Sequence, residues 1–108
     1  MRSKVLKIVG GVLLIALIVP KISWGTIRNV SIVDFGFTPT KTAANPGDTV
    51  KWTNTGTFSH TSTSDEGIWG SALLGPGGTF SRQFFAARKY PYHCIPHSTT
   101  MKDTIIVN

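Results

Sequence analysis

Residues 45–54 read Asn-Pro-Gly-Asp-Thr-Val-Lys-Trp-Thr-Asn and join a turn signal to a strand pattern. Pro, Gly and Asp favour tight turns because Pro presets one backbone angle, Gly tolerates a positive φ and Asp bonds to the nearby backbone. After the turn, Val50 and Trp52 alternate with Lys51 and Thr53. A period of two places apolar side chains on one face of a β-strand and polar ones on the other. The segment therefore predicts a β-strand with one buried face.

Similar turn signals and strand-like segments continue along the chain after Lys21. The signals recur roughly every eight to twelve residues, which is typical of a sandwich or barrel. They are Thr38-Pro39, Asn54-Thr55-Gly56, Gly75-Pro76-Gly77-Gly78 and Tyr90-Pro91. Strands are predicted between them over residues 27–33, 49–54, 79–85, 90–94 and 104–107. Because helical periodicity is lacking in this part, the sequence predicts an all-β fold, either a sandwich or a barrel.

Length and composition limit the chain to one small core. With 108 residues and a single Cys, the chain has room for one domain and cannot close an intrachain disulfide. A disulfide-rich secreted scaffold is therefore excluded. A hydrophobic content of 41% against 15% charged residues also excludes a disordered chain.

Much of the net charge lies beside an apolar run near the N-terminus. The run covers residues 8–19, and four of the eleven basic residues flank it: Arg2, Lys4, Lys7 and Lys21. The rest of the chain carries seven basic against five acidic residues. The formal net charge of +6 therefore does not indicate a basic patch on the folded domain. We expect no nucleic-acid partner.

Basic residues followed by an apolar run form the layout of an export signal. We therefore divide the chain into a signal or membrane anchor over residues 1–24 and a domain over residues 25–108. The segment from Pro20 to Gly25 offers no good A-x-A cleavage pattern, which favours an uncleaved anchor over a cleaved signal peptide. The run is shorter than the ~20 residues that cross a bilayer, but Val5, Leu6 and Ile22 can extend it if Lys7 and Lys21 snorkel to the interfaces. The positive-inside rule then predicts a domain outside the cytoplasm, in the periplasm or at the cell surface.

Residues 90–101 read Tyr-Pro-Tyr-His-Cys-Ile-Pro-His-Ser-Thr-Thr-Met and bring three kinds of metal donor together. Cys94 offers a thiolate, His97 an imidazole and Met101 a thioether, at the point where a predicted strand runs into a loop. Thiolate and imidazole suit zinc or copper, whereas a thioether is a ligand for copper. The donor set therefore favours a copper site.

A site of this kind needs a second imidazole, and the chain contains two other His residues. His93 precedes Cys94 on a predicted strand, so its side chain is expected on the opposite face. His60 lies in the loop after the strand that ends at Asn54, where a sandwich can bring it beside Cys94. Each residue alone has an ordinary explanation, such as a buried thiol or an exposed loop His. Their joint spacing is hard to reach by chance.

The domain resembles the cupredoxins, the small blue-copper proteins that include plastocyanin, amicyanin, pseudoazurin and azurin. The matching segments are, in order, residues 35–39 (Phe-Gly-Phe-Thr-Pro), residues 46–54, the loop His60, residues 75–81 (Gly-Pro-Gly-Gly-Thr-Phe-Ser) and residues 92–97 (Tyr-His-Cys-Ile-Pro-His). The resemblance implies an eight-stranded Greek-key β-sandwich with one type 1 copper ion near one end. It also implies the ligands: His60, Cys94 and His97, with Met101 in the axial position.

The same resemblance implies a monomeric electron carrier rather than an enzyme. A transient redox protein is the expected partner, and the imidazole edge of His97 is the expected electron port. An apolar collar is expected around that edge from Phe58, Leu73, Leu74 and Pro96.

Two departures from the family pattern concern the site. Three residues separate His97 from Met101, a gap longer than that of amicyanin and shorter than that of plastocyanin. Thr61 follows the first His ligand where the family commonly has Asn, so a looser tie between the two ligand loops is expected.

Three other functions compete with electron transfer. A copper protein with an open axial site would store or deliver copper, or react with a small molecule such as a nitrogen oxide. A hydrolase or transferase would use Cys94 as nucleophile and His97 or His60 as base, but no acidic residue is marked to orient that base. A structural zinc site is disfavoured because the domain has a readable core of its own.

Overall fold

The computed structural model describes residues 25–108, and the signal or anchor predicted over residues 1–24 lies outside the described residues. The described part contains eight β-strands and a short 3-10 helix, Ile95–His97. No helix within it is long and apolar enough to cross a membrane.

The strands form two four-stranded sheets. Their bounds are β1 Ile27–Val33, β2 Gly36–Thr38, β3 Ala43–Ala44, β4 Thr49–Asn54, β5 Thr63–Ser64, β6 Thr79–Gln83, β7 Lys89–His93 and β8 Lys102–Val107. One sheet has the order β2-β1-β4-β6, and the other has the order β3-β8-β7-β5. The chain therefore passes repeatedly from one sheet to the other. This arrangement confirms the predicted all-β Greek-key sandwich.

Strand β4 lies inside the first sheet, parallel to β1 and antiparallel to β6. Val50 and Trp52 are buried, as the alternation in the sequence predicts, and the polar Asn54 at the end of the strand is buried as well. Strands β1 and β4 coincide with their predicted bounds, β6 and β8 differ from theirs by two residues at one end, and β7 is displaced by one residue. The sequence analysis missed β2, β3 and β5, because strands of two or three residues are too short to show alternation.

The turn predicted at Tyr90-Pro91 is wrong, because both residues lie inside β7. The Pro91 carbonyl accepts a hydrogen bond from the Asp65 N–H at 3.0 Å, on the side of the sheet where β5 lies. The N–H that Pro lacks would point to that same side. Within β7, strand β5 pairs with Tyr92 and His93, so Pro91 lies just beyond the end of this ladder.

Aromatic rings join the two sheets. The Trp52 side chain is fully buried, and its ring centroid lies 5.5 Å from that of Tyr92 in the opposite sheet. The ring centroids of Trp69 and Phe80 each lie 5.8 Å from that of Trp52. Aromatic pairs at such separations contribute about 0.5–1.5 kcal/mol each beyond the burial of their area. This packing fixes the two layers relative to each other.

Asp48 fixes the register of the parallel pair β1 and β4 at the end of the sandwich where both strands begin. Its buried carboxylate accepts hydrogen bonds from the N–H groups of Asn45 and Thr26 and from the Arg28 side chain, at 2.8–2.9 Å. The Asn45 and Thr26 N–H groups, with Arg28, hold the pKa of Asp48 well below its ordinary value of 3.8. These bonds favour the charged form, so they stabilise the fold while Asp48 is ionised.

We predict that Asp48→Asn lowers the thermal stability at neutral pH, because the amide removes the charge and one acceptor atom. A carboxyl whose pKa is lower in the folded state stabilises the fold at any pH above its ordinary pKa. That contribution is lost as the pH falls from the ordinary pKa through the pKa of the folded state. The difference between wild type and variant should therefore shrink below about pH 4 in thermal unfolding followed by circular dichroism. Glu66→Gln is the control, since Glu66 pairs with Arg88 at the surface and should change stability little. A difference that stays constant down to about pH 2 would contradict this role.

Candidate metal centre

The loop from Cys94 to Met101 continues directly from β7. Cys94 is extended, with φ −99° and ψ 124°, and the 3-10 helix Ile95–His97 follows it. The helix turns the chain back on itself, so that the His97 N–H donates to the Cys94 carbonyl at 3.2 Å. The Cys94 N–H donates to the Met101 carbonyl at 3.0 Å, and the Met101 N–H donates to the His97 carbonyl at 2.9 Å. The backbone therefore closes a compact loop on which three candidate ligands lie.

The His60 loop is held by the buried side chain of Asn54, the last residue of β4. Its amide nitrogen donates to the Phe58 and Leu74 carbonyls, each at 2.8 Å, and its oxygen accepts from the Gly56 N–H at 2.9 Å. His60 and Leu74 also exchange two backbone hydrogen bonds, at 3.0 and 2.7 Å. These contacts fix the backbone on both sides of His60.

The two loops bring a thiol and two imidazoles together at the end of the sandwich where β4 and β7 terminate. His60 Nδ1 lies 3.4 Å from Cys94 Sγ, and His97 Nδ1 lies 3.8 Å from the same sulfur. One donor atom from each of the three residues lies within 4.8 Å of the others. His60 and Cys94 are fully buried, whereas His97 is half-buried.

His93 lies on the face that the sequence analysis predicts, and Met101 closes the loop that carries Cys94 and His97. Met101 is fully buried, and its backbone is bonded to those of Cys94 and His97. His93 lies outside the cluster, where its ring contacts Asp65 at the surface. The alternation along β7 explains this separation, since neighbouring residues of a strand point to opposite faces.

Thr61 connects the two loops of the cluster by a hydrogen bond, although a looser connection was expected where the family commonly has Asn. Its Oγ1 accepts a hydrogen bond from the Ile95 N–H at 2.9 Å and lies 2.9 Å from Thr63 Oγ1. Thr61 itself is buried. A hydroxyl is both donor and acceptor, so Thr61 can accept from Ile95 while it donates to Thr63.

Asp34 is the residue at this site that the sequence analysis missed. It lies in the turn between β1 and β2, and its Oδ1 is 3.4 Å from His60 Nε2. The Phe58 N–H and the Thr57 hydroxyl, both bonded to this carboxylate, lower the pKa of Asp34 to about 2. An acidic residue in a turn carries no mark of function in the sequence. Its position becomes evident only from the parallel pairing of β1 with β4, because this pairing places the turn after β1 beside the loop that carries His60.

The donor set of this cluster fits copper. A thiolate and two imidazoles at this spacing match the trigonal arrangement of one Cys and two His ligands in blue-copper sites. Burial of Cys94 and His60 excludes water from the sulfur, and hydrogen bonds between protein groups hold both loops. The site thus satisfies the chemistry that copper requires from the protein.

A β-sandwich with a cluster of one Cys and two His side chains at one end defines a cupredoxin. The chain belongs to the copper binding proteins of the plastocyanin/azurin family, whose family model matches residues 26–108. Its cofactor is therefore one type 1 copper ion.

Solved structures of cupredoxins are similar to this chain in fold. A methionine-to-leucine mutant of amicyanin in its oxidized form is 24% identical over 74% of this chain and 80% of its own, with a TM-score of 0.69. A methionine-to-alanine mutant of amicyanin in its Cu(I) form is 25% identical over 82% and 87%, with a TM-score of 0.70. A purple cupredoxin from Nitrosopumilus maritimus is 22% identical over 74% and 98%, with a TM-score of 0.68. No curated protein sequence matches the chain.

Proposed function

We propose that this protein carries single electrons between redox partners outside the cytoplasm. The observation that carries the proposal is the buried cluster in which three donor atoms lie within 4.8 Å of one another. The proposed copper ligands are His60, Cys94 and His97, with Met101 in the axial position. Copper supplies the one-electron step, because it cycles between Cu(I) and Cu(II).

The protein contributes a ligand geometry that both oxidation states must share. Asn54 and Thr61 hold the His60 loop, and the backbone bonds between Cys94 and Met101 hold the other loop. Thiolate and thioether favour Cu(I), whereas imidazole accepts either state. A fixed donor set therefore limits the rearrangement that accompanies each transfer, and its composition sets the potential.

His97 is the proposed electron port, because it is the half-buried member of the cluster. Phe58 and Leu73 are 56% and 63% exposed, and Pro96 is exposed, which supports an apolar rim near this end. The expectation for Leu74 is wrong, because its backbone pairs with His60 and its side chain is buried. Ile95, at 57% exposure, supplies a further apolar side chain. Such a surface suits a small, transient interface with a redox protein.

Burial argues against the use of Cys94 as an enzymatic nucleophile. Asp34, His60 and Cys94 do form a chain of carboxylate, imidazole and thiol, which is the order that nucleophilic catalysis uses. However, both Cys94 Sγ and the His60 ring belong to fully buried side chains. An electrophilic substrate must reach the sulfur itself, whereas an electron can pass through the His97 ring. The geometry therefore supports a carrier.

A location outside the cytoplasm follows from the predicted export segment. Residues 1–24 combine basic residues with the apolar run 8–19, and the described domain begins directly behind them. We propose that this segment remains as an anchor and that the domain works as a monomer beside the membrane.

The copper assignment predicts that Cys94→Ser abolishes the visible absorption of the Cu(II) protein, because the thiolate is the ligand from which charge transfer arises. The variant should keep the β-sheet circular dichroism of wild type, since the Trp52 core is independent of the metal. Metal-free wild type should keep it as well. A visible band in Cys94→Ser that equals the wild-type band would end the copper-thiolate hypothesis.

The axial assignment predicts that Met101→Leu keeps copper bound but raises the reduction potential. A weak axial donor stabilises Cu(II), so its loss favours Cu(I). The rise is about 59 mV for each tenfold change in the ratio of the two affinities. Spectroelectrochemical titration measures it. An unchanged potential and spectrum would show that Met101 is not a ligand, and would favour the alternative in which an open axial site stores or delivers copper or binds a nitrogen oxide.

The anchor hypothesis predicts that the full chain is recovered with the membrane fraction, whereas a chain that starts at Trp24 is soluble. The reason is that the apolar run 8–19 provides the continuity needed for insertion. Mass spectrometry of the native protein supplies the decisive check. A mature N-terminus at or after Trp24 would identify a cleaved signal peptide instead.

A further inference from the structure

We propose that Asp34 is a positioning residue for the copper site, which holds the His60 ring toward Cys94 and lowers the reduction potential through its negative charge. The inference rests on the proposed function, since it concerns the potential of the proposed copper site. It assigns a role to a side chain that binds no metal itself.

The first observation is that the two nitrogens of the His60 ring face different partners. Nδ1 lies 3.4 Å from Cys94 Sγ, and Nε2 lies 3.4 Å from Asp34 Oδ1. An imidazole that donates its Nε2 proton to a carboxylate keeps Nδ1 free as a metal donor. A carboxylate in this position also increases the basicity of the ligating nitrogen. Asp34 therefore selects the tautomer that the site needs.

The second observation is that the Asp34 carboxylate is itself held firmly. Its Oδ1 accepts from the Thr57 N–H at 2.7 Å and from the Phe58 N–H at 3.1 Å. Its Oδ2 accepts from the Thr57 hydroxyl at 2.8 Å. Gly56 permits this approach, because a Cβ at that position would come within 2.2 Å of Oδ1. The carboxylate is thus fixed to the loop that presents His60.

The charge of this carboxylate has a predictable effect on copper. The His60 side chain is fully buried, and that of Asp34 is 24% exposed, so water screens the interaction only partly. A negative charge beside a ligand stabilises Cu(II) more than Cu(I), because Cu(II) carries the larger positive charge. Loss of the charge should therefore raise the reduction potential.

Asp34→Asn tests this role, because asparagine can keep the hydrogen bonds of the loop. Its Oδ1 can accept from the Thr57 and Phe58 N–H groups, and its Nδ2 can donate to the Thr57 hydroxyl. We expect a roughly tenfold loss of Cu(II) affinity relative to Cu(I), which is a rise of about 59 mV for a one-electron couple. The measurement is a spectroelectrochemical titration of the copper-loaded protein at neutral pH.

Asp65→Asn is the matched control, since Asp65 contacts His93 outside the cluster. It removes the same charge from another carboxylate and imidazole pair, and we expect a much smaller shift in potential. Equal shifts in Asp34→Asn and Asp65→Asn would overturn the inference, as would the absence of a shift in both. The visible thiolate band of wild type separates this result from failure of the proposed function, because without that band the copper-thiolate site itself is absent.

A second measurement needs no variant, in case Asp34→Asn does not retain copper. Proton NMR of the nitrogen-15-labelled Cu(I) wild-type protein measures the shifts of the ring N–H protons. The Nε2 proton of His60 should resonate downfield of the corresponding proton of His97, because His60 donates its proton to a carboxylate. His97 serves as the internal reference, since its contact within the cluster is with Cys94. A His60 proton without this downfield shift would overturn the inference.

Discussion

The packing of Trp52 against the opposite sheet is the constraint on which the metal centre depends. The proposed ligands come from two loops, one behind β4 and one behind β7, and these strands lie in different sheets. The Trp52 and Tyr92 rings lie on those two strands, with centroids 5.5 Å apart. A shift of one sheet against the other would move His60 relative to Cys94. The core therefore supports the site geometry directly, and the hydrogen bonds of the loops refine it.

The loops themselves are restrained from several sides, which suits an electron carrier. Asn54 satisfies three backbone groups of the His60 loop and its neighbour, while Thr61 connects that loop to Ile95. Asp34 adds a third restraint from the turn between β1 and β2. Because these restraints act on the backbone and on the ring, they hold the donors whether or not the metal changes its charge. The half-buried His97 is the point at which this enclosed site meets the surface.

The sequence predicted the features that depend on local pattern and missed those that depend on tertiary proximity. Alternation along residues 49–54 predicted β4 and its buried face, and the spacing of Cys94 and His97 predicted two members of the cluster. The short strands β2, β3 and β5 show no periodicity, because pairing with longer neighbours defines them. The turn predicted at Pro91 is wrong because a proline can occupy a strand at a position beyond the end of a ladder, as Pro91 does beside β5. Asp34 was missed for the same reason as the short strands, since its role arises from the pairing of β1 with β4.

Asp34 also shows why a set of residue types does not separate an enzyme from a carrier. Carboxylate, imidazole and thiol follow one another in space here, as they do where a Cys acts as a nucleophile. What differs is access. A nucleophile must contact the atom that it attacks, and the Cys94 and His60 side chains are fully buried. A redox centre needs only an electronic connection to the surface, and the proposed connection is the half-buried His97 ring, whose centroid lies 5.1 Å from that of His60. The same three groups therefore serve catalysis when they are open to a substrate, and metal tuning when the fold encloses them.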